Sequence, residues 1–262
     1  MSRIRQKLTQ LQKQGKKAFI PYLTYAFPSR RIFREIFLAV AGSGVDIIEV
    51  GMPFSDPVAD GPVIQRSSQL ALQNGATLPD LLNDLQQLRR QTDIPVALMT
   101  YYNPVFYMGE ERFCQKARGV IDALVVPDLL PEEAAGLINA CRKNLIDTVF
   151  FIAPTTDPKR YELIDKDSSG FIYYVSVTGT TGMRREFNTE IFKKINAVKR
   201  KVKAPLCVGF GISSRGQVVA FGKVSDGVIV GSAIIKFIDL NWRRADFIPR
   251  LITYINILRG RK

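Results

Sequence analysis

Apolar residues along the chain fall into two alternating patterns. Eight short runs are apolar at nearly every position: 18–24 (AFIPYLT), 45–51 (VDIIEVG), 95–102 (PVALMTYY), 122–128 (DALVVPD), 147–153 (DTVFFIA), 170–176 (GFIYYVS), 205–211 (PLCVGFG) and 226–232 (DGVIVGS). Their length fits buried strands. Between them apolar residues recur every three or four positions, as in SRRIFREIFLAVAGSG and LPDLLNDLQQLRRQ, the spacing of a helix with one buried face. PEEAAGLINACRKN opens on Pro and two acids and ends on Arg, Lys and Asn, the order that suits the two ends of a helix. The opening MSRIRQKLTQLQKQGKK reads as one more amphipathic helix, and its lack of an apolar core argues against a signal peptide.

Eight β–α units in 262 residues predict an α/β fold, a (β/α)8 TIM barrel with an extra N-terminal helix, as a single domain over residues 1–262. A doubly wound open sheet fits less well. It usually has fewer strands, and no Gly-x-Gly-x-x-Gly follows the first run. In barrels of this kind chemistry sits where strands end and loops begin, at the C-terminal face. Polar residues at strand ends are therefore the candidates.

Composition narrows the chemistry. The chain has no His, so Ser–His and Cys–His nucleophile arrangements are excluded and a zinc site is not expected. Acid–base work falls to Glu, Asp, Lys, Tyr or Cys. Cys114, Cys141 and Cys207 are too scattered for a disulfide framework. No run of about 18 apolar residues is present, so no membrane span is expected, and the protein is placed in the cytoplasm. The net charge is +13, densest in KKINAVKRKVK at 193–203. Its Ile and Val fit a helix with a solvated basic face. No aromatic cluster accompanies it to suggest nucleic acid.

The stretch EVGMPFSDPVADGP, 49–62, carries three carboxylates on a backbone stiffened by Pro. Glu49 continues the row of Val45 and Ile47 at the end of its strand. A carboxylate there is either desolvated, with a pKa raised toward the range of proton transfer, or reaches water at the barrel mouth. Asp56 reads as a turn residue, and Asp60 as a turn or a functional one. Late in the chain, SVTGTTG, GFGIS and GSAII place glycines at three strand ends. A helix opening at Gly231 and Ser232 would aim backbone N–H groups into the mouth, and Gly211 permits close backbone approach, so a phosphate site is expected there. The long SVTGTTGMRREF loop reads as a lid or as an ordinary surface loop.

EVGMPFSDPVADGPVIQRS, with PYLT (21–24), VPDLLPEE (126–133), YYVSVTGTTG (173–182), GFGIS (209–213) and VGSAIIK (230–236) in order and spacing, is strongly similar to the α subunit of tryptophan synthase. The resemblance covers nearly the whole chain. It implies retro-aldol cleavage of indole-3-glycerol phosphate to indole and glyceraldehyde 3-phosphate. It also implies an αββα assembly in which pyridoxal phosphate belongs to the β partner and this subunit has no cofactor. By the resemblance Glu49 moves the protons and Asp60 accepts the indole N–H. Tyr22, Met99, Val125, Ile152, Tyr173, Thr181 and Phe210 then line the substrate site. Gly182, Gly211, Gly231 and Ser232 cradle the phosphate. Pro53, Asp56, Pro57 and Asn103 face the β subunit. One turn departs from the pattern: the family's Ala-Gly-Asp-Pro is Tyr25-Ala26-Phe27-Pro28 here, which removes a carboxylate and is expected to add bulk near the indole pocket. That departure motivates a second reading, a catalytically weak subunit that mainly binds and activates β.

Overall fold

The computed structural model describes residues 2–175, 189–209 and 211–260. Eight parallel strands close into a barrel in sequence order: β1 (Ala18–Thr24), β2 (Ile48–Gly51), β3 (Val96–Met99), β4 (Ala123–Val125), β5 (Asp147–Ile152), β6 (Ile172–Val175), β7 (Leu206–Gly209) and β8 (Gly227–Val230). Around it run α1 (Arg3–Lys13), α2 (Arg30–Gly42), α3 (Pro62–Gln73), α4 (Leu78–Leu88), α5 (Tyr102–Met108), α6 (Glu110–Ala117), α7 (Ala135–Lys143), α8 (Tyr161–Asp167), α9 (Thr189–Lys199), α10 (Arg215–Val224), α11 (Ser232–Asn241) and α12 (Phe247–Arg259). No helix among the described residues is long and apolar enough to cross a membrane.

Local chemistry explains the helices. Phe33, Ile36, Phe37 and Val40 form the buried stripe of α2, and Leu78, Leu81, Leu82, Leu85 and Leu88 that of α4. Ser29 and Thr77 accept the N–H of Ile32 and Asp80 at their N-termini, each cap contributing about 1 kcal/mol. Ser214 and Gln217 form a reciprocal cap on α10. PEEAAGLINACRKN is not one helix: a 3-10 turn over Pro131–Glu133 precedes α7. In α9, Ile195 and Val198 are buried and Lys199 pairs with Asp226 at 2.8 Å. The basic run is therefore a helix face anchored on the barrel.

β1 fills its apolar run and the other strands are shorter than theirs, and carboxylates accept backbone N–H groups at strand entrances. Asp46 accepts the N–H of Phe19, Asp122 that of Val96, and Asp226 that of Leu206. The helix before β1 closes this end of the barrel. Ser2 bonds Asp147, and Arg3 Nε reaches Asp122 at 2.6 Å, while Ile4 and Leu8 are buried.

The turn at 25–28 lies against the helix layer. Tyr25 is fully buried, donates to Asp84 Oδ2 at 2.8 Å and packs edge-on against Phe33. Arg30 grips the same carboxylate through Nε and Nη2. The bulk expected beside the indole pocket thus goes to the α2–α4 side, where Asp84 offers a buried acceptor. None of Tyr25, Ala26 or Phe27 lines the cleft described next.

Candidate active site

A cleft at the C-terminal mouth is lined by Tyr22, Glu49, Asp60, Ile64, Met99, Tyr173, Gly211, Ile229, Gly231 and Ser232. Glu49 pairs in register with Tyr22 on one side and Ala97 on the other, so its side chain shares the inner face of the barrel with theirs. It is 1% exposed, and neither carboxylate oxygen has a hydrogen-bond partner among the described residues. Burial, with the charge of Asp60 second, pushes its pKa up to about 8. Glu49 therefore carries a proton at neutral pH.

Asp60 ends the loop behind β2 and is half-buried. Burial raises its pKa to about 6, and a hydrogen bond from Tyr101 opposes the rise. Tyr101 Oη lies 3.1 Å from Asp60 Oδ2 and accepts the Ala59 N–H at 3.0 Å, while its ring stacks on Phe54 at 4.9 Å. Two acids in one cleft are thus set apart: one proton-bearing and unpartnered, one ionised and held.

Two tyrosines wall the cleft. The Tyr22 hydroxyl leans over Gly51, and that of Tyr173 over Gly209; a methyl group built on either glycine would fall 1.9 Å or 2.4 Å from the hydroxyl oxygen. Burial raises both phenols well above their usual range, so both stay protonated. Opposite the acids, α11 opens at Ser232 with no side-chain cap on Gly231, and Gly211 sits at φ +76°. The helix start offers N–H groups and a positive dipole end to an anion.

The expected site residues fall into four groups. Glu49, Asp60, Tyr22, Met99, Tyr173, Gly211, Gly231 and Ser232 meet at the cleft. Val125 is the register partner of Met99 and lies buried inside the barrel. Ile152 is a correction: it pairs with Tyr174, on the face opposite Tyr173, and packs under the helices. Phe151 holds the inner position instead, stacked on Tyr173 at 4.9 Å. Thr181, Gly182 and Phe210 lie outside the described residues. Of the partner-facing set, Asp56 and Asn103 are exposed and Pro57 is partly so, but Pro53 is buried and offers little surface. Sequence reasoning missed Tyr101. Its signal was an aromatic at the end of the third apolar run, hidden because that run reads as strand through residue 102.

A parallel eight-stranded barrel whose mouth holds a buried and a half-buried acid in one cleft with a helix N-terminus defines a barrel enzyme that moves protons on an anionic substrate. Residues 8–253 match the family described as Tryptophan synthase alpha chain. The tryptophan synthase alpha chain of Geobacter sp. (strain M21) is 40% identical over 260 residues, covering 99% of this chain and 97% of that one. The structure of tryptophan synthase subunit alpha from Legionella pneumophila str. Paris superposes with a TM-score of 0.92 at 33% identity, covering 99% and 98%. A chain of the tryptophan synthase a2b2 complex from Pyrococcus furiosus gives 0.86 at 37% identity, covering 93% and 98%. The chain belongs to the tryptophan synthase alpha chain family.

Proposed function

We propose that Glu49 and Asp60 carry out the lyase reaction of this family, cleavage of indole-3-glycerol phosphate to indole and glyceraldehyde 3-phosphate. The observation that carries the reading is Glu49, buried and without a hydrogen-bond partner among the described residues, in one cleft with an Asp60 that Tyr101 holds. Glu49 gives its proton to indole C3, which makes the ring an electron sink. Asp60 accepts the indole N–H and balances the positive charge that develops there. The Glu49 carboxylate then takes the proton of the adjacent side-chain hydroxyl. The C–C bond breaks, its electrons restore the indole, an aldehyde forms, and Glu49 ends protonated again. General acid–base transfer of this kind contributes about 10²- to 10⁴-fold.

Tyr22, Met99 and Tyr173 wall the ring, with Val125 beneath. The N–H groups at Gly231 and Ser232, with Gly211, hold the phosphate. None of these steps uses a cofactor.

The partner is a tryptophan synthase β subunit in an αββα assembly, with pyridoxal phosphate in β. Asp56, Pro57 and Asn103 face it. Val58 (84% exposed), Phe106 (65%) and Tyr107 (92%) lie on the same loop and on α5, and give this face an apolar surface that suits burial in a complex. The complex works in the cytoplasm. The second reading, a weak subunit, loses its motive, since the bulky turn packs away from the cleft. Indole formation from indole-3-glycerol phosphate by the purified chain, with and without purified β subunit, tests the reading. Turnover that rises with β is expected, and no indole in either case would overturn it.

A further inference from the structure

Tyr101 fastens the loop that carries Asp60 at three points: its ring on Phe54, its hydroxyl oxygen on the Ala59 N–H, and its hydroxyl proton on Asp60 Oδ2. The direction of the last bond follows from the second. An amide N–H can only donate, so the phenol oxygen accepts there and its one proton is left for the carboxylate. Tyr101 is 3% exposed, and burial with the charge of Asp60 keeps it protonated. A protonated donor favours the charged form of the acid it touches.

The surroundings leave this task to Tyr101. The titratable groups whose fields reach Asp60 are Tyr22 on β1, Glu49 on β2, Tyr101 after β3 and Tyr173 on β6; Asp128, beyond β4, faces Tyr101 itself. No Lys or Arg among the described residues hydrogen-bonds or ion-pairs with Asp60. Among the described residues no donor reaches the Glu49 carboxyl. The two acids differ in depth of burial and in this one hydrogen bond.

We propose that Tyr101 is a positioning residue for the reaction: it makes Asp60 the ionised member of the acid pair, fixed toward the indole nitrogen, and so leaves Glu49 as the member that carries the proton. This rests on the reading of the site given above. Without the Tyr101 proton, Asp60 ionises at higher pH and the two acids converge in character, so the division between electrostatic stabiliser and proton shuttle is lost.

The test is the pH dependence of kcat/KM for indole formation by the wild-type chain, Tyr101→Phe and Phe54→Leu, each in complex with β subunit. Tyr101→Phe keeps the ring stack and removes the proton. Its acidic limb moves to higher pH by about one unit, so activity falls about tenfold below the limb and the loss shrinks toward pH 8. Phe54→Leu keeps the hydroxyl but loosens the ring, and moves the limb the same way by less. An equal loss at every pH, or none, overturns the proposal. Carbon-13 NMR titration of Asp60 needs no substrate. Asp60 titrates higher in Tyr101→Phe than in wild type, and an unmoved titration overturns the proposal even if the chain proves inactive on this substrate. Should Tyr101→Phe fail to fold, Phe54→Leu is decided by the same two readouts.

Discussion

Tyr22 stands so close over Gly51 that a methyl group there would fall 1.9 Å from its hydroxyl oxygen and 2.4 Å from the ring carbon that bears it. Gly51 lies two residues beyond Glu49 on the same strand face, so the ring roofs the Glu49 carboxyl on its mouth side. Gly51→Ala forces that ring into the cleft. The variant is expected to lose about 1–3 kcal/mol of stability, as overpacked sites do. Its indole formation should drop about tenfold or more. Adding Tyr22→Leu restores the stability, because the colliding atoms are gone. Thermal melting of the two single variants and the double variant checks this, and additive losses would contradict it.

Ala26 holds φ +58°, in the left-handed region that costs an L-residue about 1–2 kcal/mol. Its neighbours keep it there: Tyr25 is tied to Asp84 and Phe27 is 2% exposed. Ala26→Gly removes the strain at some cost in unfolded-chain entropy. A net gain of about 0.5–1 kcal/mol is expected in urea unfolding, with indole formation unchanged. A loss of stability would mean that the alanine methyl makes a packing contribution larger than the strain.

Glu49 lowers stability as the pH rises. Its folded pKa of about 8 lies above the ordinary carboxylate value. From about pH 4.5 to 8 the folded state therefore binds the proton more tightly than the unfolded chain does, and unfolding becomes easier with each step upward. Glu49→Gln removes this term. The variant should match wild type near pH 4 and exceed it by an amount that grows toward pH 8, on the order of 3 kcal/mol at pH 7 as an upper bound. Denaturant unfolding at several pH values reads the trend, and a constant difference would argue that Glu49 ionises normally.

The same two acids set the rate profile. kcat/KM for indole formation should fall below about pH 6, as Asp60 takes up a proton, and above about pH 8, as Glu49 loses one. A profile flat from pH 5 to 9 would contradict that assignment.

Much of this was legible in the sequence because the barrel repeats one signal. Each apolar run reads as a buried strand, and the alternation of faces put Glu49 in the row of Val45 and Ile47, while whether its carboxylate is desolvated or reaches water stayed open until the barrel closed around it. Faces were not legible where every position is apolar. In TVFFI nothing distinguishes Phe151 from Ile152, and only the register with Tyr173 shows that Phe151 looks inward. Contacts between distant segments were hidden for another reason. Tyr101 meets Asp60 across 41 positions, and Tyr25 meets Asp84 across 59, pairings that depend on where loops close. Cys114 and Cys141, scattered in the chain, likewise come within 3.6 Å as buried free thiols.

In the proposed reaction one carboxyl group, that of Glu49, gives a proton to the ring and then removes one from the side chain. Steady-state release of indole from indole-3-glycerol phosphate by Glu49→Gln, beside wild type and with β subunit present, tests it most directly. A folded, more stable protein whose turnover falls by about 10³-fold or more is expected, since a single amide can do neither transfer. Turnover within a few-fold of wild type would contradict it.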